Sequence, residues 1–212
     1  MKNTVQNNLN KIQKEIDSRN ALFKNANLQQ KRILIAKDAL QQSIKKKIKI
    51  VPGKWVDLHF KNNSMIDYSD SDQSLRELLL SDKLKPCECC GLGGLFVSCT
   101  LFNNKTTYGD VTSGDEEYLG DPIQDDITLS NKLNEIFTKN QLILIEIAFE
   151  GNDGYFADDL YYHFEDTNKP YHGISKSLFD KALDFYKKYP NDTKRFQAIM
   201  RNIIKNNGTF VP

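Results

Sequence analysis

The chain is 212 residues long, 39% hydrophobic and 27% charged, with a net charge of +1 at neutral pH. That length is enough to enclose one sizeable core, and no run approaches the roughly 18 consecutive apolar residues of a membrane helix. Lysine outnumbers arginine 24 to 5 and the overall balance is near neutral, which speaks against a dedicated nucleic-acid binder.

The net figure conceals a segregation of charge. Residues 1–61 sum to +10 and residues 110–166 to −13, while residues 167–212 return to +6. Such segments either face one another within the fold or each face a partner. The opening Met-Lys-Asn-Thr-Val-Gln-Asn-Asn has no apolar stretch of the secretory kind. A cytoplasmic location with free thiols is therefore expected.

In chain order, Val5, Leu9, Ile12 and Ile16 recur at helical spacing and predict an amphipathic helix within residues 1–26. It is expected to be an appendage or an oligomerisation element, with a homo-oligomer formed through residues 5–16. Residues 27–212 are expected to form a single helical domain. A second helix from about Leu28 to Lys47 should bury Ile33, Ala36, Leu40 and Ile44, and Pro52-Gly53 punctuates its end. Trp55 to Phe60 alternates as a short strand, and Asn62 to Gln73 reads as polar loop. Ser74 and Glu77 form a capping-box pattern before Leu75, Leu78 and Leu79.

From Cys87 the pattern reads as a helix with Leu92, Leu95, Phe96, Cys99 and Phe102 on one face. Residues 103–126 form an acidic insertion, and Leu129 to Phe137 reads as helical. Thr138 and Gln141 repeat the capping-box pattern before Leu142, Ile143, Ile145, Ile147 and Phe149, a helix apolar on most sides and so expected at the centre. Residues 151–173 form a second, acidic and aromatic insertion. Helices then start at Ser175 and Asp192, the last one stopped by Gly208. The expected fold class is mainly α: a compact domain of about seven helices with minor β structure.

Three cysteines crowd into Cys87-Glu88-Cys89-Cys90. As metal ligands, Cys87, Cys89 and Cys90 lack the paired spacing of a structural zinc site, and His59, His163 and His172 are scattered singly. As nucleophiles, Cys89 and Cys90 would need a base nearby and a depressed pKa, and Glu88 opposes thiolate formation. Gly91, Gly93 and Gly94 lack the Gly-Lys-Ser/Thr of a phosphate loop; on a helix they let a neighbour approach closely. The carboxylates at Asp115-Glu116-Glu117, Asp121 and Asp125-Asp126 do not match a calcium loop. No cofactor is expected.

Two binding surfaces remain. Lys45, Lys46, Lys47 and Lys49 would supply salt-dependent affinity for a phosphate backbone, but the aromatic residues needed for base stacking lie in the acidic half, so nucleic acid is the lesser alternative. Tyr155, Phe156, Asp158, Asp159, Tyr161 and Tyr162 form an acidic surface with aromatic anchors, the composition of a protein-recognition face. A non-enzymatic interaction factor is the expected function, with a cysteine-dependent enzyme or zinc protein as the competing class.

Three stretches, Cys87 to Phe96, Thr138 to Glu150 and the C-terminal Ile203-Ile-Lys-Asn-Asn-Gly-Thr-Phe-Val-Pro212, together resemble a family of small phage and bacterial proteins. The resemblance spans roughly residues 75–212 without the acidic insertions. It implies a compact helical domain and a phage origin, and it supplies no activity and no catalytic residues. The accessory or host-interaction (anti-defence) role expected of the chain rests on the charge segregation and the aromatic acidic segment.

Overall fold

The computed structural model describes residues 2–61, 72–102, 106–112, 132–167 and 169–212. Its helices are α1 (Lys2–Lys24), α2 (Leu28–Ile44), α3 (Leu75–Leu80), α4 (Gly91–Phe102), α5 (Tyr108–Thr112), α6 (Lys139–Glu150), α7 (Tyr155–Asp166), α8 (Lys176–Lys188) and α9 (Asp192–Lys205). The fold is therefore mainly α, with one small sheet, as the periodicities require. Most of the acidic insertion at 103–126, the loop at 62–71 and the start of the helix expected over 129–137 lie outside the described residues.

Three short strands, β1 (Ile48–Ile50), β2 (Val56–Asp57) and β3 (Cys87–Cys89), form the sheet in the order β1-β3-β2. β3 runs parallel to β1 and antiparallel to β2, placing Ile48 beside Cys87 and Val56 beside Cys89. This corrects the expected helix start at Cys87. Cys87 and Cys89 face inward and Glu88 faces outward, the period-two alternation of a strand. Helix begins only at Gly91, after Cys90 donates its backbone N–H to the Lys54 carbonyl.

The core sits around α4 and α6. Every residue of α4 is buried, as is every residue of α6 from Leu142 to Phe149, so the central position predicted for the second of these is borne out. Glycines let α4 sit there: a Cβ on Gly94 would lie 2.8 Å from the Phe196 ring, and one on Gly91 2.7 Å from Phe149. At Gly93 a Cβ would overlap the Trp55 carbonyl oxygen, so this glycine brings the helix onto the β1–β2 connection.

α2 packs between α4 and α9. Its buried residues are Ile35, Ala36, Ala39 and Ser43; of the predicted stripe Ala36 is buried, Ile33 and Leu40 are half-buried, and Ile44 is 49% exposed. Ala36 and Ala39 turned inward allow both neighbours to approach α2 closely, and Ile35 is the large aliphatic side chain that is fully buried beside them. Its start is fixed by a capping box absent from the sequence reading, with Gln30 N–H donating to Asn27 Oδ1 and Asn27 N–H donating to Gln30 Oε1, both at 2.9 Å.

The two capping boxes that were expected do not form: neither Ser74 nor Thr138 makes a side-chain cap bond. Gln141 clamps the C-terminal segment instead, donating to the Phe210 carbonyl at 3.2 Å and accepting from the Phe210 N–H at 2.6 Å. The α9 cap is Asn191, one residue before the expected Asp192, whose carboxylate pairs with Arg195. Arg195, 2% exposed, also donates to the Phe149 carbonyl at 2.7 Å and the Tyr189 carbonyl at 2.8 Å, tying α6, α8 and α9 together.

α1 docks on this body. Phe23 stacks on Phe102 with ring centroids 5.6 Å apart. Arg19 pairs with Asp38 at 2.7 Å, and Arg76 donates to Asn20 Oδ1 at 2.8 Å. Ile12 and Ile16 are half-buried, while the side chains of Val5 and Leu9 lie outside the described residues.

Candidate functional site

The cysteines are placed by the sheet. Cys87, Cys89 and Cys99 are buried, Cys90 is half-buried, and all are free thiols. A hydrogen bond with Cys87, then burial, raises the Cys89 thiol well above its ordinary range. Burial pushes Cys90 and Cys99 up to about 12. A nucleophilic cysteine calls for the opposite shift. Cys90 immediately precedes α4, and the Gly93 and Leu92 amides there pull its thiol down by less than desolvation pushes it up.

On the outer face of the same sheet lies a charged knot. Glu88 accepts from Lys49 at 2.7 Å and from Lys54 at 2.9 Å, and Lys54 also reaches Asp57 at 3.0 Å. The lysine hydrogen bonds pull the Glu88 carboxyl down to about 2 and raise Lys54 through its bonds to Glu88 and Asp57. His59 Nε2 stands 3.1 Å from Asp57. Among the described residues, Asp57, His59 and Glu88 are the one group of three potential metal ligands, their ligand atoms all within 4.8 Å of one another. The Lys54 ammonium already bridges the two carboxylates, and an ion there would have to displace it. The three clustered cysteines form no such group.

Within the acidic aromatic segment 151–173, Tyr155–Asp166 forms the amphipathic helix α7. Phe156, Ala157, Leu160 and Phe164 face the core, so Phe156 supports the outer surface from beneath. Asp158, Tyr161, Tyr162 and Glu165, at positions i, i+3, i+4 and i+7, form one outward stripe. Tyr161 and Tyr162 are 52% and 64% exposed, with ring centroids 5.8 Å apart and edges to faces. A hydrogen bond to Glu165 raises the Tyr161 phenol. Asp159 is exposed at the flank of the stripe, and the side chain of Tyr155 lies outside the described residues.

The C-terminal end of α7 is held by its surroundings. His163 Nε2 lies 2.9 Å from the Lys169 carbonyl and 3.0 Å from the Thr167 hydroxyl, and its ring packs on Tyr171. A tight turn follows, with His172 and Gly173 at positive φ of 49° and 76° and a Tyr171–Ile174 bridge closing it.

Lys45, Lys46 and Lys47 form the exposed turn after α2, and Lys49 is committed to Glu88. Among the described residues no ion pair joins the basic segment 1–61 to the acidic segment 110–166. The pairs made by the basic segment run within it or to Glu88. Among the described residues, no helix is long and apolar enough to cross a membrane. Comparison with protein families, with characterised proteins and with solved structures finds no match to the chain.

Proposed function

We propose that this protein is a non-enzymatic interaction factor whose outward α7 face receives a basic segment of another protein. The Asp158-Tyr161-Tyr162-Glu165 stripe carries this reading: two large rings stand in solvent on a helix whose inner face is already anchored. Tyrosine is enriched among the residues that dominate interface energy, and carboxylates beside the rings favour a cationic partner. The raised thiols of Cys89 and Cys90 weigh against the competing cysteine-enzyme class.

The test is affinity capture from a cell lysate with the native chain and a Tyr161→Ser/Tyr162→Ser variant side by side. The residues are exposed, so the melting temperature of the variant should stay within about 2 °C of the native value. A partner of basic sequence should be retained by the native chain and weakened at least tenfold, about 1.4 kcal/mol, in the variant. Equal capture by both proteins, or no specific capture by the native chain, would remove the proposal.

A further inference from the structure

We infer that the cavity between the α2–β1 turn and the segment after α3 binds a small phosphorylated anion. The cavity holds about 300 Å³ and is lined by Lys46, Lys47, Lys61 and Lys85. Its size is at the lower end of the range for small-molecule pockets. The lysines come from three stretches of chain set side by side by backbone hydrogen bonds. Cys87 N–H donates to the Lys47 carbonyl at 3.1 Å, Lys61 N–H to Lys83 at 2.9 Å, and Lys85 N–H to His59 at 2.7 Å.

Charge is what distinguishes this cavity. Lys49 and Lys54, close by in sequence, are each neutralised by carboxylates, whereas none of the four lining lysines belongs to an ion pair among the described residues. Asp82 is the single acid in the lining, so four ammoniums and one carboxylate leave a formal +3. Like charges gathered in a concavity repel one another and focus a positive potential on it, and a multiply charged anion relieves that repulsion. Lysine serves phosphate as a point charge, without the fork geometry a carboxylate selects. Lys46 is further fixed by its left-handed backbone, with φ 56°.

The rest of the lining narrows the ligand. Leu79, Leu84, Pro86 and Cys87 give one apolar wall, suited to the carbon skeleton of a phosphate or pyrophosphate ester whose charged end meets the lysines. A nucleic-acid backbone is less well matched, because Lys45 lies outside the lining and Lys49 is held by Glu88. This inference is independent of the α7 face, which lies on another element.

Inorganic pyrophosphate, titrated calorimetrically into the full chain at low and at physiological salt, tests the inference. Saturable one-to-one binding that weakens with salt is expected. Lys61→Ala/Lys85→Ala should reduce affinity at least tenfold, whereas Lys181→Ala/Lys187→Ala on α8 should leave it within about twofold. Should the first variant melt early, Lys85→Gln alone should still give a reduction of about threefold or more. Absence of saturable binding at low salt, or equal losses in both double variants, overturns the site. A single-stranded oligonucleotide binding more tightly than pyrophosphate through the same lysines overturns the small-anion assignment.

Discussion

Gly94 and Glu150 show how single residues constrain this fold. Phe196 and Phe149 meet edge to face, with ring centroids 6.5 Å apart, and both are fully buried. A side chain at position 94 would press on the Phe196 ring, and Phe149 behind that ring leaves it no room to retreat. Gly94→Leu is therefore expected to cost about 1–3 kcal/mol through overpacking. A thermal melt should register this as a fall of roughly 3–10 °C, and an unchanged melting temperature would show that α4 can shift. Glu150 ends α6 and accepts the Gly53 N–H at 3.3 Å. Burial pushes its carboxyl up to about 7, so the folded state holds a proton that the unfolded chain releases near 4.5. Its contribution to stability is greatest below the unfolded value and is lost as pH rises through about 7. Denaturant titrations from pH 5 to pH 8 should show a decline on the order of 1–3 kcal/mol in the native chain relative to Glu150→Gln. Parallel curves for the two proteins would refute it.

Among the elements, α9 and α2 differ in how much the sequence reveals. α9 lies at the edge of the core and buries one face, so of its apolar stripe Phe196, Ile199, Met200, Ile203 and Ile204 the first four are buried and Ile204 is half-buried, with Arg195 buried beside them. α2 is contacted on two sides, and closeness of approach buries Ala36 and Ala39 together with Ile35 while Ile33 and Leu40 stay half-buried; hydrophobicity alone would rank the two alanines below Ile33 and Leu40. β1 and β3 have three residues each, too few for a period of two to stand out beside the adjoining helical pattern. α7 was legible in composition but not in form. Its acidic and aromatic residues marked a surface, while the separation of Phe156, Leu160 and Phe164 from Tyr161 and Tyr162 emerges only once the segment is wound as a helix. The lysine cavity has no local signal, since residues 46–47, 61 and 85 meet only through long-range backbone pairing, at the start of β3 and at the Phe60–Leu84 bridge. The Asn27–Gln30 box gives a test at this scale. Asn27→Ala should cost about 1 kcal/mol, seen as a shifted denaturant midpoint with unchanged slope, and no shift would mean that packing alone starts α2.

At the scale of the whole molecule, the buried thiols report global opening. Cys87, Cys89 and Cys99 have 2% or less of their surface exposed, so a thiol reagent reaches them through unfolding rather than at the native surface. Native protein should react at least about a hundredfold more slowly at these three positions than denatured protein, with Cys90 the first to be modified. Rapid native labelling of Cys89 would contradict the sheet placement. The order β1-β3-β2 has a further consequence in time. β1 and β2 are separated only by residues 51–55, yet β3, from much later in the chain, lies between them. No local hairpin can therefore nucleate the sheet. On a ribosome, β1 and β2 must wait with their facing edges unpaired until residue 89 has emerged, and closing that loop is an entropic toll levied before any strand pairing is gained.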